Sequence, residues 1–174
     1  KRRSHMTHDP VPLPDFQGID ISALSRLFAN STNSYKHLFF NALLTVCKNS
    51  DFRCNEFSTQ DLAVEMIVKA WFPIRMFQLS LGSQDKVSDE IVALLKTDNA
   101  IVQPQHLRRF VSSRLKNHKS LLRYVQYRML TPFFSKRLRG RSDSEKNAEI
   151  QKLAETEFAS IRPLYRFLDQ ETIS

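Results

Sequence analysis

Between residues 106 and 141 the chain carries eleven Lys or Arg and not one Asp or Glu. Side chains of this kind neutralise phosphates and release the counterions condensed on a nucleic acid. Arg108, Arg109, Arg114, Lys116, Lys119, Arg123 and Arg128 are the expected direct contacts. Lys136, Arg137, Arg139 and Arg141 continue the run, and Tyr124 and Tyr127 stand among the charges, where a ring can stack on a base or wedge between bases. The positive charge is local. The whole chain is +8, yet outside this window fifteen basic residues face eighteen acidic ones. A solvated helix face ordinarily mixes both signs, so a one-signed run predicts a polyanion or an acidic protein surface as its partner. If roughly five phosphates are neutralised, log affinity for duplex DNA should fall against log salt with a slope near about −4.5.

Three flanking stretches supply further candidates. In "NSYKHLFF" a helix begins near Ser34, Tyr35 and Lys36, where free backbone N–H groups favour an anion. "AWFPIRMF" sets Pro73 and Arg75 beside Trp71, and "YRMLTPFF" sets Arg128 beside Tyr127 and Pro132. Ordinary core packing is the competing account of these aromatics, because Trp and Phe at helical spacing usually bury.

Catalytic sets are not found. His5 falls in the opening residues and His8 in a Pro-rich lead-in, while His37, His106 and His118 match no zinc or hydrolase spacing. Gly18, Gly82 and Gly140 are too scattered for a phosphate loop, and Asp89 and Glu90 are adjacent, so a helix points them apart. Cys47 and Cys54 form no Cys-x-x-Cys pair and read as reduced thiols, with a disulfide as the alternative. No catalytic residue, metal or cofactor is expected, and the chain by itself is not expected to be an enzyme.

The elements that position these residues are helices. Leu24, Leu27 and Phe28 recur at helical spacing, and residues 35–47 are apolar at so many positions that a central helix is expected there. Ser58 precedes Asp61 as a cap precedes its partner, opening a helix that Pro73 should kink or split and that Gly82 should close. Val87, Ile91, Leu94 and Leu95 mark a surface helix; Pro104 opens another along Leu107, Phe110, Val111 and Leu115. Ser120 is the expected cap of a helix burying Leu121, Leu122, Val125 and Met129. Ser142 and Glu145 form a capping box for a last helix with Ile150, Leu153, Phe158 and Ile161, which stops before Pro163; a short strand or loop follows.

With 174 residues, 41% hydrophobic, thirteen Phe and three Gly, the composition predicts a single all-α domain. It should hold about six to eight helices, one of them kinked by proline. "KRRSHM", residues 1–6, reads as a vector-derived lead, leaving 7–174 as the domain. No apolar run reaches the ~18–20 residues of a membrane span, so a soluble protein with no membrane partner is expected.

Three stretches, "LSRLFANSTNSYKHLFFNALL", "AWFPIRMFQLSLGSQDK" and "LLRYVQYRMLTPFFSKRLRG", followed by "PLYRF", occur in an order that resembles the amino-terminal region of bacterial HNH-endonuclease-domain proteins. The resemblance covers about residues 20 to 168 and includes no catalytic signature. It implies a DNA-recognition region of a restriction or phage-defence nuclease, acting in the bacterial cytoplasm, with the HNH domain lying beyond this chain. Some modification-dependent members of this kind use a separate amino-terminal domain to read phosphorothioate DNA. A non-bridging sulfur is bulkier and a poorer hydrogen-bond acceptor than oxygen, so its reader should offer an apolar notch with basic groups around it. Tyr35, Trp71, Pro73, Tyr127 and Pro132 are the expected walls, with Lys36, Arg75 and Arg128 nearby. The expected function is therefore DNA recognition. The alternative is a protein-interaction module whose basic face docks on an acidic partner or on the nuclease domain.

Overall fold

Residues 59–77 are apolar on almost every side, and they form a helix against which four others pack. In the computed structural model, which describes residues 18–29, 34–79, 86–97, 103–116 and 118–174, this helix is α3 (Thr59–Phe77). Before it come α1 (Ile21–Arg26) and α2 (Tyr35–Asn49); after it come α4 (Lys86–Thr97), α5 (Pro104–Arg114), α6 (His118–Leu122) and α7 (Val125–Leu130). A 3₁₀ turn at Thr131–Phe134 leads on to α8 (Asp143–Thr156) and α9 (Phe158–Ile161). The chain is mainly helical, as its composition predicts. Among the described residues its one sheet is a two-stranded antiparallel pair, β1 (Phe57–Ser58) with β2 (Thr172–Ile173).

Every residue from Leu62 to Ile67 is buried, because α2, α4, α5 and α6 all lie against α3. An amphipathic helix would show water at some of those positions. The central role therefore belongs to α3. The expectation that placed it at residues 35–47 is corrected: α2 buries Phe39, Ala42 and Leu43 but leaves Leu44 44% exposed. Leu107, Phe110, Val111 and Leu115 of α5, and Val87, Ile91 and Leu94 of α4, are buried as their spacing predicts.

Helix ends follow cap chemistry, with exceptions. The Ser58 hydroxyl accepts from the Gln60 backbone N–H at 3.1 Å, starting α3. Pro73 does not split α3, which runs on to Phe77 and ends where Gln78 turns left-handed at φ 50°. Gly82, the expected terminator, lies outside the described residues. Ser120 caps nothing; it sits inside α6, and the helix expected to run from it breaks at Arg123 and Tyr124. The capping box of α8 is present, with Ser142 and Glu145 bonded in both directions. The last helical stretch is divided. α8 ends at Thr156, α9 is a single turn, and Arg162 adopts φ 50° before Pro163.

The C-terminal segment folds back as a hairpin. Arg166 and Ser174 exchange backbone hydrogen bonds, Leu168 N–H donates to the Thr172 carbonyl, and Thr59 N–H donates to the Glu171 carbonyl at 2.7 Å. Tyr165, fully buried, donates its hydroxyl to the Gln126 carbonyl of α7. These bonds pin residues 165–174 between the start of α3 and α7.

Candidate nucleic-acid interface

The break between α6 and α7 makes a corner, and the corner puts charge and an aromatic ring at the surface. Tyr124 is 47% exposed; the Arg123 and Arg128 guanidinium carbons lie 5.2 and 5.8 Å from its ring centroid. α7 packs on α2, which brings Arg128 toward Lys36 at the N-terminal end of α2. The Lys36 ammonium donates to the Leu27 carbonyl at 3.0 Å. Its pKa is held below the usual lysine value, first by partial burial and then by the positive charge of Arg128. Arg26 extends this surface: it reaches the Pro132 carbonyl at 3.4 Å, a contact between α1 and the 3₁₀ turn. Arg26 lies outside the acid-free window, and its place is set by the packing of α1, which nothing in its own sequence neighbourhood indicates.

Other bases of the window are already engaged. Arg108 Nε donates to the Glu65 carboxylate, a buried group of α3, and this hydrogen bond raises the Arg108 pKa. Lys119 pairs with Glu171 at 2.6 Å, and Arg137 with Glu157 and Arg141 with Glu149 at 3.3 Å each. The carboxylates come from α3, the C-terminal hairpin and the α8–α9 region, all outside the window, with Glu149 only eight residues past Arg141. Arg108, expected as a direct contact, thus has its Nε committed to a buried acid although its side chain is 57% exposed. Lys119 is divided between Glu171 and the surface. Arg114 lies over the Phe110 ring at 4.4 Å, and Arg109 and Lys116 are exposed on or beside α5. Arg75 is half-buried in the last turn of α3. Lys86, which the sequence did not single out, does reach α6, donating to the Ser120 hydroxyl at 3.1 Å.

Of the five expected walls of an apolar notch, Trp71 is withdrawn from the surface and the other four are half-buried. Trp71 is 1% exposed, packed edge-on against Phe110, so no ligand at the surface can touch it. Pro73 lies in α3 almost four turns, about 20 Å, beyond Thr59. Tyr35 and Pro132 are half-buried, on α2 and the 3₁₀ turn. Tyr127 turns the other way, its ring 5.1 Å from that of Phe167.

Behind the corner, Tyr127 and Arg123 border a cavity of about 410 Å³ between the start of α3, α6, α7, α8 and the hairpin. Thr59 borders it too. Its hydroxyl is buried without a hydrogen-bond partner, and the residue is 4% exposed. Among the described residues there is no group of three or more side chains able to hold a metal ion, and no helix long and apolar enough to cross a membrane. Cys47 and Cys54 are free thiols, with burial pushing the Cys47 thiol up. No protein-family model matches this chain, and comparison with curated proteins and with solved structures likewise gives no match.

Proposed function

We propose that this chain is a DNA-binding recognition domain that grips the phosphate backbone along a strip from Lys36 through Arg128 and Tyr124 to Arg123. On this proposal it serves an HNH endonuclease of restriction or phage defence, in the bacterial cytoplasm, with the nuclease domain lying beyond this chain. The observation that carries it is the pair of guanidinium groups over one exposed tyrosine, on a helix that packs against the one carrying Lys36. Among the described residues no carboxylate pairs with Arg123, Arg128 or Lys36. Like charges held together without acids destabilise the free protein slightly, and a polyanion relieves that repulsion. The ring between them offers a flat face for a base.

A protein-interaction module is the second reading. Arg108, Lys119, Arg137 and Arg141 already accept carboxylates from elsewhere in this chain, as they would from an acidic partner. Charge reversal separates the two. Arg123→Glu with Arg128→Glu is expected to lower affinity for a labelled duplex by roughly 30-fold or more in fluorescence anisotropy, since two phosphate contacts become repulsive. Lys48→Glu with Lys96→Glu, an equal change in net charge at exposed sites off the strip, should shift it by no more than about threefold. Equal losses from both pairs leave only a net-charge effect and sink the strip. A duplex bearing a single backbone sulfur belongs in the same titration, where tighter binding than to the plain duplex supports phosphorothioate reading.

A further inference from the structure

We infer that the cavity behind the α6–α7 corner receives a single unstacked nucleotide, its base held inside and its phosphate on Arg123 at the mouth. Four carboxamides converge on this space from three separate parts of the chain: Gln126 from α7, Asn147 and Gln151 from α8, and Gln170 from the hairpin. Asn147 and Gln151 stand four residues apart and so share one face of their helix. None of the four side chains makes a hydrogen bond among the described residues.

A carboxamide carries two donors and an acceptor in one plane, the pattern that a nucleobase edge answers in kind. Tyr127 and Phe167 supply aromatic surface beside them, and Asp169, whose Oδ1 already accepts from the Glu171 backbone N–H, keeps its second carboxylate oxygen for an exocyclic amine. Thr59 lies behind this lining, its hydroxyl too deeply buried to meet a ligand directly and without a partner among the described residues. The volume suits a mononucleotide; pockets for small ligands start at about 300 Å³. Arg123 belongs both to the cavity and to the surface strip, so a strand lying on the strip passes the mouth of the cavity.

This inference rests on the DNA-binding proposal, but the chemistry is shared by a free mononucleotide, and the test has an arm for each source. A duplex carrying 2-aminopurine opposite an abasic site gives a fluorescence rise when the base leaves the stack. The protein is expected to raise that signal several-fold. Asn147→Leu with Gln151→Leu, partly or fully exposed positions on α8, should abolish the rise while leaving affinity for a fully paired duplex within about twofold, because the backbone grip is untouched. Circular dichroism and thermal melting establish that the variant folds.

Tight duplex binding with no fluorescence change, or a change that survives the double variant, overturns the inference and leaves the DNA-binding proposal standing. If no DNA is bound at all, that proposal falls, and the free deoxynucleoside monophosphates decide the cavity. Millimolar dAMP, dGMP, dCMP or TMP shifting the carboxamide signals of Asn147 and Gln151 in NMR spectra supports a nucleotide pocket; unmoved signals with all four end it.

Discussion

At the scale of single residues, two side chains bear opposite relations to their surroundings. Thr59 has a hydroxyl with no partner, so Thr59→Val removes an unpaid desolvation cost while keeping the shape. The variant is expected to melt at a higher temperature, with unfolding stability raised by about 1 kcal/mol. A lower melting temperature would mean that the hydroxyl already has a partner. Arg108 is the reverse case. Arg108→Ala leaves the Glu65 carboxylate buried and alone, a loss of about 3–5 kcal/mol for a fully buried pair. The Arg108 side chain is 57% exposed, and water screens what it contributes, so roughly 1–3 kcal/mol is expected in urea melts. Adding Glu65→Met should recover most of that loss, and the salt dependence of DNA binding should not change with Arg108→Ala. Nothing in the window distinguishes Arg108 from Arg109. Only the packing of α5 on α3 assigns one to a buried acid and the other to the surface.

At the scale of elements, the starts of helices were the legible part. Ser58, Pro104 and Ser142 each stand where a cap or first helical residue is found, because cap chemistry is local and depends on residues within one turn. Ends and interruptions were not legible. The corner at Arg123 and Tyr124 contains no Gly, Pro or Asn, and a run such as "SLLRYVQYRM" satisfies helical spacing on both sides of it. The demand of α2 and α3 for separate contacts with α6 and α7 breaks that run, and a sequence pattern does not encode such a demand. The α8 capping box yields a prediction of its own. Ser142→Ala should cost about 1 kcal/mol, the usual loss for an N-cap serine. The Glu145 carboxyl is held below its ordinary value, first by the Ser142 hydroxyl and then by the Ser142 backbone N–H. A carboxylate depressed in the folded state stabilises it above the unfolded pKa and loses that effect as pH falls through the folded value. The penalty of Ser142→Ala should therefore be full near neutrality and shrink below about pH 4, near the ordinary glutamate pKa, in melts across that range. A penalty that stays constant with pH would contradict the coupling.

At the scale of the whole molecule, the all-helical class was legible from composition and periodicity, whereas the site was legible only in part. The acid-free window does contain Arg123, Arg128 and Tyr124, yet folding brings acids from α3, the hairpin and the adjoining α8–α9 region to four of its bases and brings Lys36 and Arg26 in from outside it. Carboxylate partners that are remote along the chain leave no trace in a local charge count. Trp71, expected as one wall of the notch, instead fills the core against Phe110. The cavity leaves no mark in the sequence, because its carboxamides are spaced along α7, α8 and the hairpin with no common motif.

The measurement closest to the central claim is the affinity of the unaltered protein for a short plain duplex as salt is raised from ~50 to ~300 mM. Engagement of about three to five phosphates gives a straight log–log decline with a slope of about −3 to −4.5. A slope near zero, or no binding at the lowest salt, would contradict an interface built from Lys36, Arg123 and Arg128.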